Sequence, residues 1–141
     1  MRYLLDTNIC IYIAKQKPSS VLARLERLRP GEVGMSVVTY LELVYGAWKS
    51  RRREENLARI EELETLVPVL ALDASTGRHF AQIRSELETK GRPIGAYDLL
   101  IASHALSLGL ILVTHNVREF RRVEHLQVED WVQGWQEATV R

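Results

Sequence analysis

The sequence predicts an α/β fold: a central parallel sheet of four to five strands with helices on both faces. Two observations predict it. Short apolar runs alternate with longer segments of helical periodicity along the chain, and consecutive parallel strands need such crossovers. At 141 residues, with no internal repeat and no low-complexity segment, the chain reads as one domain over residues 1–141 with room for a sizeable core.

The elements follow in order. Arg2 to Leu5 is a short apolar run and reads as a buried strand. Asn8 to Lys15 reads as a helix, with Asp6, Thr7 and Asn8 all available to cap it. Pro18-Ser19-Ser20 breaks it, and Ser20 is placed to cap a second helix with Val21, Leu25 and Leu28 on its apolar face. Arg29-Pro30-Gly31 is a turn, and Val33 to Met35 a second strand. Ser36 is placed to cap a helix to about Trp48, with Val38, Leu41, Val44, Tyr45 and Trp48 at helical spacing. An amphipathic helix with Leu57, Ile60, Leu63 and Leu66-Val67 comes next, then a third strand over Pro68 to Leu72. Asp73 to Lys90 is a helix carrying Phe80, Ile83 and Leu87, and Gly91 to Gly95 is a loop. Tyr97 to Leu108 is a largely buried helix that Gly109 ends. Leu110 to Val113 is the clearest strand, and Leu126 to Val128 a weaker fifth. Trp48, Trp131 and Trp135 read as core or interface anchors rather than platforms for nucleobases.

Carboxylates stand where these runs end or helices begin: Asp6 after Tyr3-Leu4-Leu5, Glu42 within Leu41-Glu42-Leu43, Asp98 before Leu99-Leu100-Ile101, and Glu119 shortly after Leu110 to Val113. A desolvated carboxylate is costly unless it is paired or bound to metal. Parallel strands bring their carboxyl ends to one crevice, so these acids are expected to converge. Converging acids suit a hard divalent cation such as Mg²⁺, and metal-assisted chemistry on a phosphate ester. Each acid has a plainer role taken alone. Asp6 and Asp98 can serve helix starts, Glu42 can be a solvated residue at a stripe edge, and Glu119 can neutralise Arg118, Arg121 and Arg122. Thr7, Ser36 and Thr114 are placed to hold carboxylate oxygens from behind, and Asn116 offers a neutral ligand or donor in the same region.

Several classes are excluded. There is one cysteine, so no intramolecular disulfide and no cysteine-based zinc site. Cys10, in an apolar helix, reads as a small core residue. The histidines at 79, 104, 115 and 125 include no pair one helical turn apart, and His115 reads as a surface residue. There is no glycine-rich phosphate loop and no serine elbow. A phosphoacceptor signalling domain would want a lysine late in the chain, and none follows Lys90. A haloacid-dehalogenase-type phosphatase would want an aspartate where Asn8 stands. A net charge of +1 argues against strong nonspecific binding of nucleic acid but allows a local grip. The run Lys49-Ser50-Arg51-Arg52-Arg53 is either a solvated helix end or such a grip on a phosphate backbone. No apolar run suits a bilayer or a signal peptide, so a cytoplasmic location is expected.

Leu4-Leu5-Asp6-Thr7-Asn8, Ser36-Val37-Val38-Thr39-Tyr40-Leu41-Glu42-Leu43 with Gly46, Tyr97-Asp98-Leu99-Leu100-Ile101-Ala102-Ser103-His104-Ala105, and Val113-Thr114-His115-Asn116 with Glu119-Phe120 together resemble PIN-domain ribonucleases. More narrowly, they resemble the VapC toxins of bacterial type II toxin–antitoxin modules. Each motif is weak singly; their order and spacing, from Leu4 to Trp131, carry the resemblance. It implies a PIN-like α/β/α sandwich, RNA cleavage dependent on Mg²⁺ or Mn²⁺, a homodimer, and a VapB antitoxin bound across the active-site groove. By matching motifs it implies Asp6, Glu42 and Asp98 as the acidic core. Many relatives hold an aspartate where this chain has Asn116, so either Asn116 or Glu119 completes the set, for one metal ion or two. Arg84 to Leu87 through Gly91 to Gly95 resembles a VapC branch whose members cut initiator tRNA in the anticodon stem-loop. The alternative is a catalytically inert PIN scaffold that binds a protein partner.

Overall fold

The computed structural model describes residues 1–132. Strand β1 (Tyr3–Leu5) runs through the middle of the sheet, and its three side chains explain why both faces are covered. Tyr3 and Leu5 enter one core and Leu4 the other, the period-two alternation of a strand. The remaining elements are α1 (Thr7–Lys15), α2 (Ser19–Glu26), β2 (Val33–Ser36), α3 (Val37–Trp48), α4 (Arg53–Leu66), β3 (Val69–Leu70), α5 (Thr76–Thr89), α6 (Ala96–Leu108), β4 (Ile111–Val113), α7 (Val117–Phe120) and β5 (Val128–Glu129).

The sheet is parallel throughout, in the order β3-β2-β1-β4-β5. The chain therefore winds outward from β1 to β3, then crosses back to place β4 on the other side of β1. Leu5 pairs with Met35 on one side and Val113 on the other. That reversal of direction opens a crevice at the carboxyl ends of β1 and β4, where ligands of such sheets bind. One core lies between the sheet, α1, α3 and α4, through Ile9, Ile13, Leu43, Ala47, Ile60 and Leu63. The other lies under α5 and α6, through Ile83, Leu87, Leu99, Ile101 and Ala102.

The five strands and six longer helices occur where the sequence predicts them, with four local differences. Helix α2 begins at Ser19 behind Pro18, and Ser20 does not cap it. The Ser20 hydroxyl instead donates to the Val132 carbonyl at 2.8 Å, a long-range tie that no local signal could disclose. Helix α5 begins at Thr76 rather than Asp73, because the Asp73 carboxylate takes the Ser75 N–H at 2.9 Å and holds these residues in a turn. The fifth strand pairs only at Val128 and Glu129, while Leu126 packs into the core as part of a loop. Helix α7 lies in a stretch to which the sequence reading assigns no element.

The largest correction concerns α3. Its buried positions are Val38, Thr39, Leu43 and Ala47. Leu41, Tyr45 and Trp48 are 62%, 65% and 56% exposed. Spacing alone picked the stripe with the larger side chains, but close packing against α1 and α4 selects the stripe with smaller ones, Thr39 and Ala47. Trp48 is thus no core residue, whereas Trp131 is; Trp135 lies outside the described residues.

Trp131 anchors the outer strand. It is fully buried, meets the Tyr3 ring edge-on at 5.4 Å, and donates its indole N–H to Glu129 at 3.1 Å. The Arg24 guanidinium lies over both rings, 5.5 Å from Tyr3 and 5.4 Å from Trp131. Trp131→Ala should lower stability by about 3–5 kcal/mol, and Trp131→Phe by clearly less. Urea unfolding of the two variants checks this; a loss under about 1 kcal/mol for the alanine would show that the ring contributes little there.

Candidate active site

The site grows from the end of β1. Asp6 follows Leu5, and its backbone N–H bonds to the Val113 carbonyl at 3.0 Å, so the sheet ladder itself positions the residue. Its side chain caps α1 by accepting from the Ile9 N–H at 3.0 Å. It is only 5% exposed. The capping role and the functional role are therefore one placement rather than rivals.

Asp98 arrives from the opposite direction. Helix α6 runs back against the sheet, so its first turn lies at the strands' carboxyl ends, and Asp98 stands in that turn. Glu42 comes from α3, which follows β2. Its Oε1 accepts from the Thr7 hydroxyl at 2.7 Å, and Thr39 Oγ1 lies 3.2 Å from the same hydroxyl. Glu119, on α7 beyond β4, accepts from the Asn116 side-chain amide at 2.6 Å and from the Gly95 N–H at 3.4 Å. It thereby fastens α7 to the loop that leads into Asp98.

The acids also feel one another's charges. The Asp6 carboxyl is raised from 3.8 to about 6, first by burial, with contributions from the charges of Asp98 and Glu42. The Thr114 hydroxyl and the Ile9 N–H pull it the other way. Asp98 is likewise raised to about 6, by burial and then by the charges of Glu119 and Glu42. Among the described residues, none of the four acids forms an ion pair.

The supporting residues divide. Thr7 holds Glu42, and Asn116 holds Glu119. Thr114 is fully buried beside Asp6, and its Oγ1 accepts the Asn116 backbone N–H at 2.9 Å. Ser36 does not join them: its hydroxyl accepts from the Val38 N–H and meets His104, because it stands at the buried start of α3 rather than over the crevice. The basic run faces solvent. Arg52 pairs with Glu55, Arg53 lies 4.1 Å over Trp48, and Lys49 lies 4.9 Å over Tyr45. His115 is a surface residue paired with Asp130 at 3.0 Å, and Cys10 is buried. Sequence reasoning missed Thr39, whose signal was a β-branched polar residue one turn before Glu42, and the Gly95 N–H, which carries none.

A hard cation fits the donor set. All four side chains offer carboxylate oxygen, and no cationic side chain among the described residues neutralises them. Also among the described residues, no three His, Cys, Asp or Glu side chains stand close enough to cage an ion unaided. Where proteins bind Mg²⁺, the ion commonly keeps several waters and takes one or two carboxylates.

Comparison with known proteins decides the family. Residues 3–126 match the PIN domain. The chain belongs to the PIN-domain family, among the VapC ribonucleases. It is 50% identical over 131 residues to the tRNA(fMet)-specific endonuclease VapC of Shigella flexneri, covering 93% of this chain and 98% of that one. The solved structure of VapBC-1 from nontypeable Haemophilus influenzae matches with a TM-score of 0.87 and 43% identity, over 94% of this chain and 100% of that one. VapBC2 from Rickettsia felis, solved on a DNA fragment from its promoter, matches with a TM-score of 0.87 and 37% identity, over 93% and 99%.

The raised acids have a stability consequence. A carboxyl whose folded pKa exceeds its unfolded value binds protons more tightly when folded, so stability falls as pH rises from about 4 to about 6. Asp6→Asn keeps a capping oxygen and removes the charge. It should raise stability at pH 7.5 by roughly 1–3 kcal/mol and change it little at pH 3.5. Thermal melts at the two pH values check the sign; equal shifts at both would contradict it.

Proposed function

We propose that this protein is a divalent-metal-dependent endoribonuclease, the toxin of a toxin–antitoxin pair, cutting tRNA and so arresting translation. The observation that carries the reading is the convergence of Asp6, Glu42, Asp98 and Glu119 at the sheet's switch point, with no cationic side chain among the described residues paired to them. Asp6 and Asp98 are the residues to hold Mg²⁺ or Mn²⁺, with Glu42 beside them. Such a cation, when bound, polarises the scissile phosphate and favours ionisation of the attacking water.

The protein's own groups do the rest. Thr7 occupies Glu42 Oε1, so that carboxylate is oriented with Oε2 left to accept the water's proton. Thr114 steadies the buried Asp6. Glu119 and Asn116 brace the loop before Asp98 and complete the acidic rim. Lys49, Arg51, Arg52 and Arg53 hold the RNA backbone on the solvent side, a contact that positions without reading sequence.

A tRNA substrate, with cleavage in the anticodon loop of the initiator species, is favoured by the name borne by relatives at 50% and 44% identity. Unpaired loops also leave bases and backbone within reach of a protein. A VapB-type antitoxin is the partner, because the similar solved structures are VapBC assemblies. A homodimer suits the stripe of Leu41, Tyr45 and Trp48, which is exposed among the described residues. No helix among the described residues is long and apolar enough to cross a membrane, and a tRNA target places the enzyme in the cytoplasm.

Purified total tRNA incubated with the protein should yield discrete fragments in Mg²⁺ or Mn²⁺ and none in EDTA. Asp98→Asn should lower the rate at least a thousandfold, roughly 4 kcal/mol of barrier, while remaining folded. Full-rate cleavage in EDTA would overturn the metal dependence. No cleavage of any RNA with either metal would leave an inert scaffold as the better reading.

A further inference from the structure

Ser36 and His104 take no part in the chemistry proposed above, yet they meet in the interior of the molecule. Ser36 is 0% and His104 1% exposed. Ser36 Oγ accepts from the Val38 N–H at 3.1 Å and lies 2.8 Å from His104 Nδ1. Because Oγ already accepts from a backbone N–H, its single proton is free for Nδ1, which leaves the histidine proton on Nε2.

Two features argue that packing alone does not explain the pair. First, Nε2 is buried and makes no well-formed hydrogen bond. The Ala71 carbonyl offsets only part of the effect of burial, which keeps the ring neutral. An apolar side chain of similar size would avoid that penalty. Second, the bond joins the cap of α3 to α6, the two helices that carry Glu42 and Asp98, at matched offsets. Ser36 stands six residues before Glu42, and His104 six residues after Asp98, about 9 Å of helix rise in each case. Among the described residues, it is the one side-chain hydrogen bond between the β2–α3 segment and α6.

We infer that Ser36 and His104 are positioning residues: their hydrogen bond sets α3 against α6 and thereby fixes the placement of Glu42 relative to Asp98. Neither touches substrate or metal. The inference rests on the proposed role of those acids.

His104→Leu removes the bond and keeps the bulk, while His104→Asn returns a polar atom near the place of Nδ1. The full-length variants would be compared by thermal melting, by Mn²⁺ binding in electron paramagnetic resonance, by kcat and KM on tRNA, and by amide hydrogen exchange. In His104→Leu, Mn²⁺ affinity and kcat should each fall about tenfold with KM for RNA unchanged, and exchange should quicken near Glu42 and Asp98. His104→Asn should recover most of this. The inference is overturned if folded His104→Leu matches the wild type, or if its losses only track its unfolded fraction. Should His104→Leu fail to fold, Ser36→Ala is read by the same criteria. A wild-type protein that neither binds Mn²⁺ nor cuts RNA would defeat the proposed function instead. The exchange data on His104→Leu would then decide the tie alone, unchanged exchange sinking it.

Discussion

The burial of carboxylates close to one another is the constraint around which this molecule is arranged. Asp6 and Asp98 are each pushed up to about 6 by burial and by neighbouring acids. Left to relax, such groups would move apart or draw in a lysine or arginine. They do neither because each is held by a structure that cannot give way locally. Asp6 is locked between the β1–β4 ladder and the start of α1. Asp98 is set by the rigid first turn of a buried helix. The hydrophobic cores on the two faces of the sheet supply the stability that the acid cluster spends, and a bound divalent cation would return it.

Hydrogen bonds then refine what the fold imposes. From Asp6 the contacts pass through Thr114 to the Asn116 backbone, from the Asn116 side chain to Glu119, and from Glu119 to the Gly95 N–H just before Asp98. A second branch passes from Thr7, next to Asp6, to Glu42. Asp6, Glu42 and Glu119 thus each have an oxygen steadied by a neutral donor, not by a counter-charge. Neutral donors orient a carboxylate while leaving its charge available to a ligand. That choice of partner separates this cluster from the surface ion pairs elsewhere, such as Arg84 with Glu88.

Much of this was legible in the residues, for identifiable reasons. Strand β1 and the run to Val113 are too apolar to be anything but buried, and Gly109, at φ 67°, ends α6 as its sequence implies. Asp6, Glu42, Asp98 and Glu119 could be picked out because acids beside buried strands are unusual. Their convergence needed the strand order, which no local pattern encodes. The failures were of the same kind. Ser36 was credited with an acid it never meets, because its actual partner lies 68 positions away. The stripe through Tyr45 and Trp48 looked like core because periodicity reports a face without saying what covers it. Ser20 looked like a cap because its bond to Val132 spans most of the chain.

The central claim is that the four acids form one site kept open for a divalent cation. A crystal grown with Mn²⁺ and measured at a wavelength that shows manganese tests it most directly. The account predicts an anomalous peak in the crevice at the carboxyl ends of β1 and β4, in contact with Asp6 or Asp98 and lost in Asp98→Asn. A featureless crevice at saturating Mn²⁺, or a peak unaffected by that substitution, would contradict it.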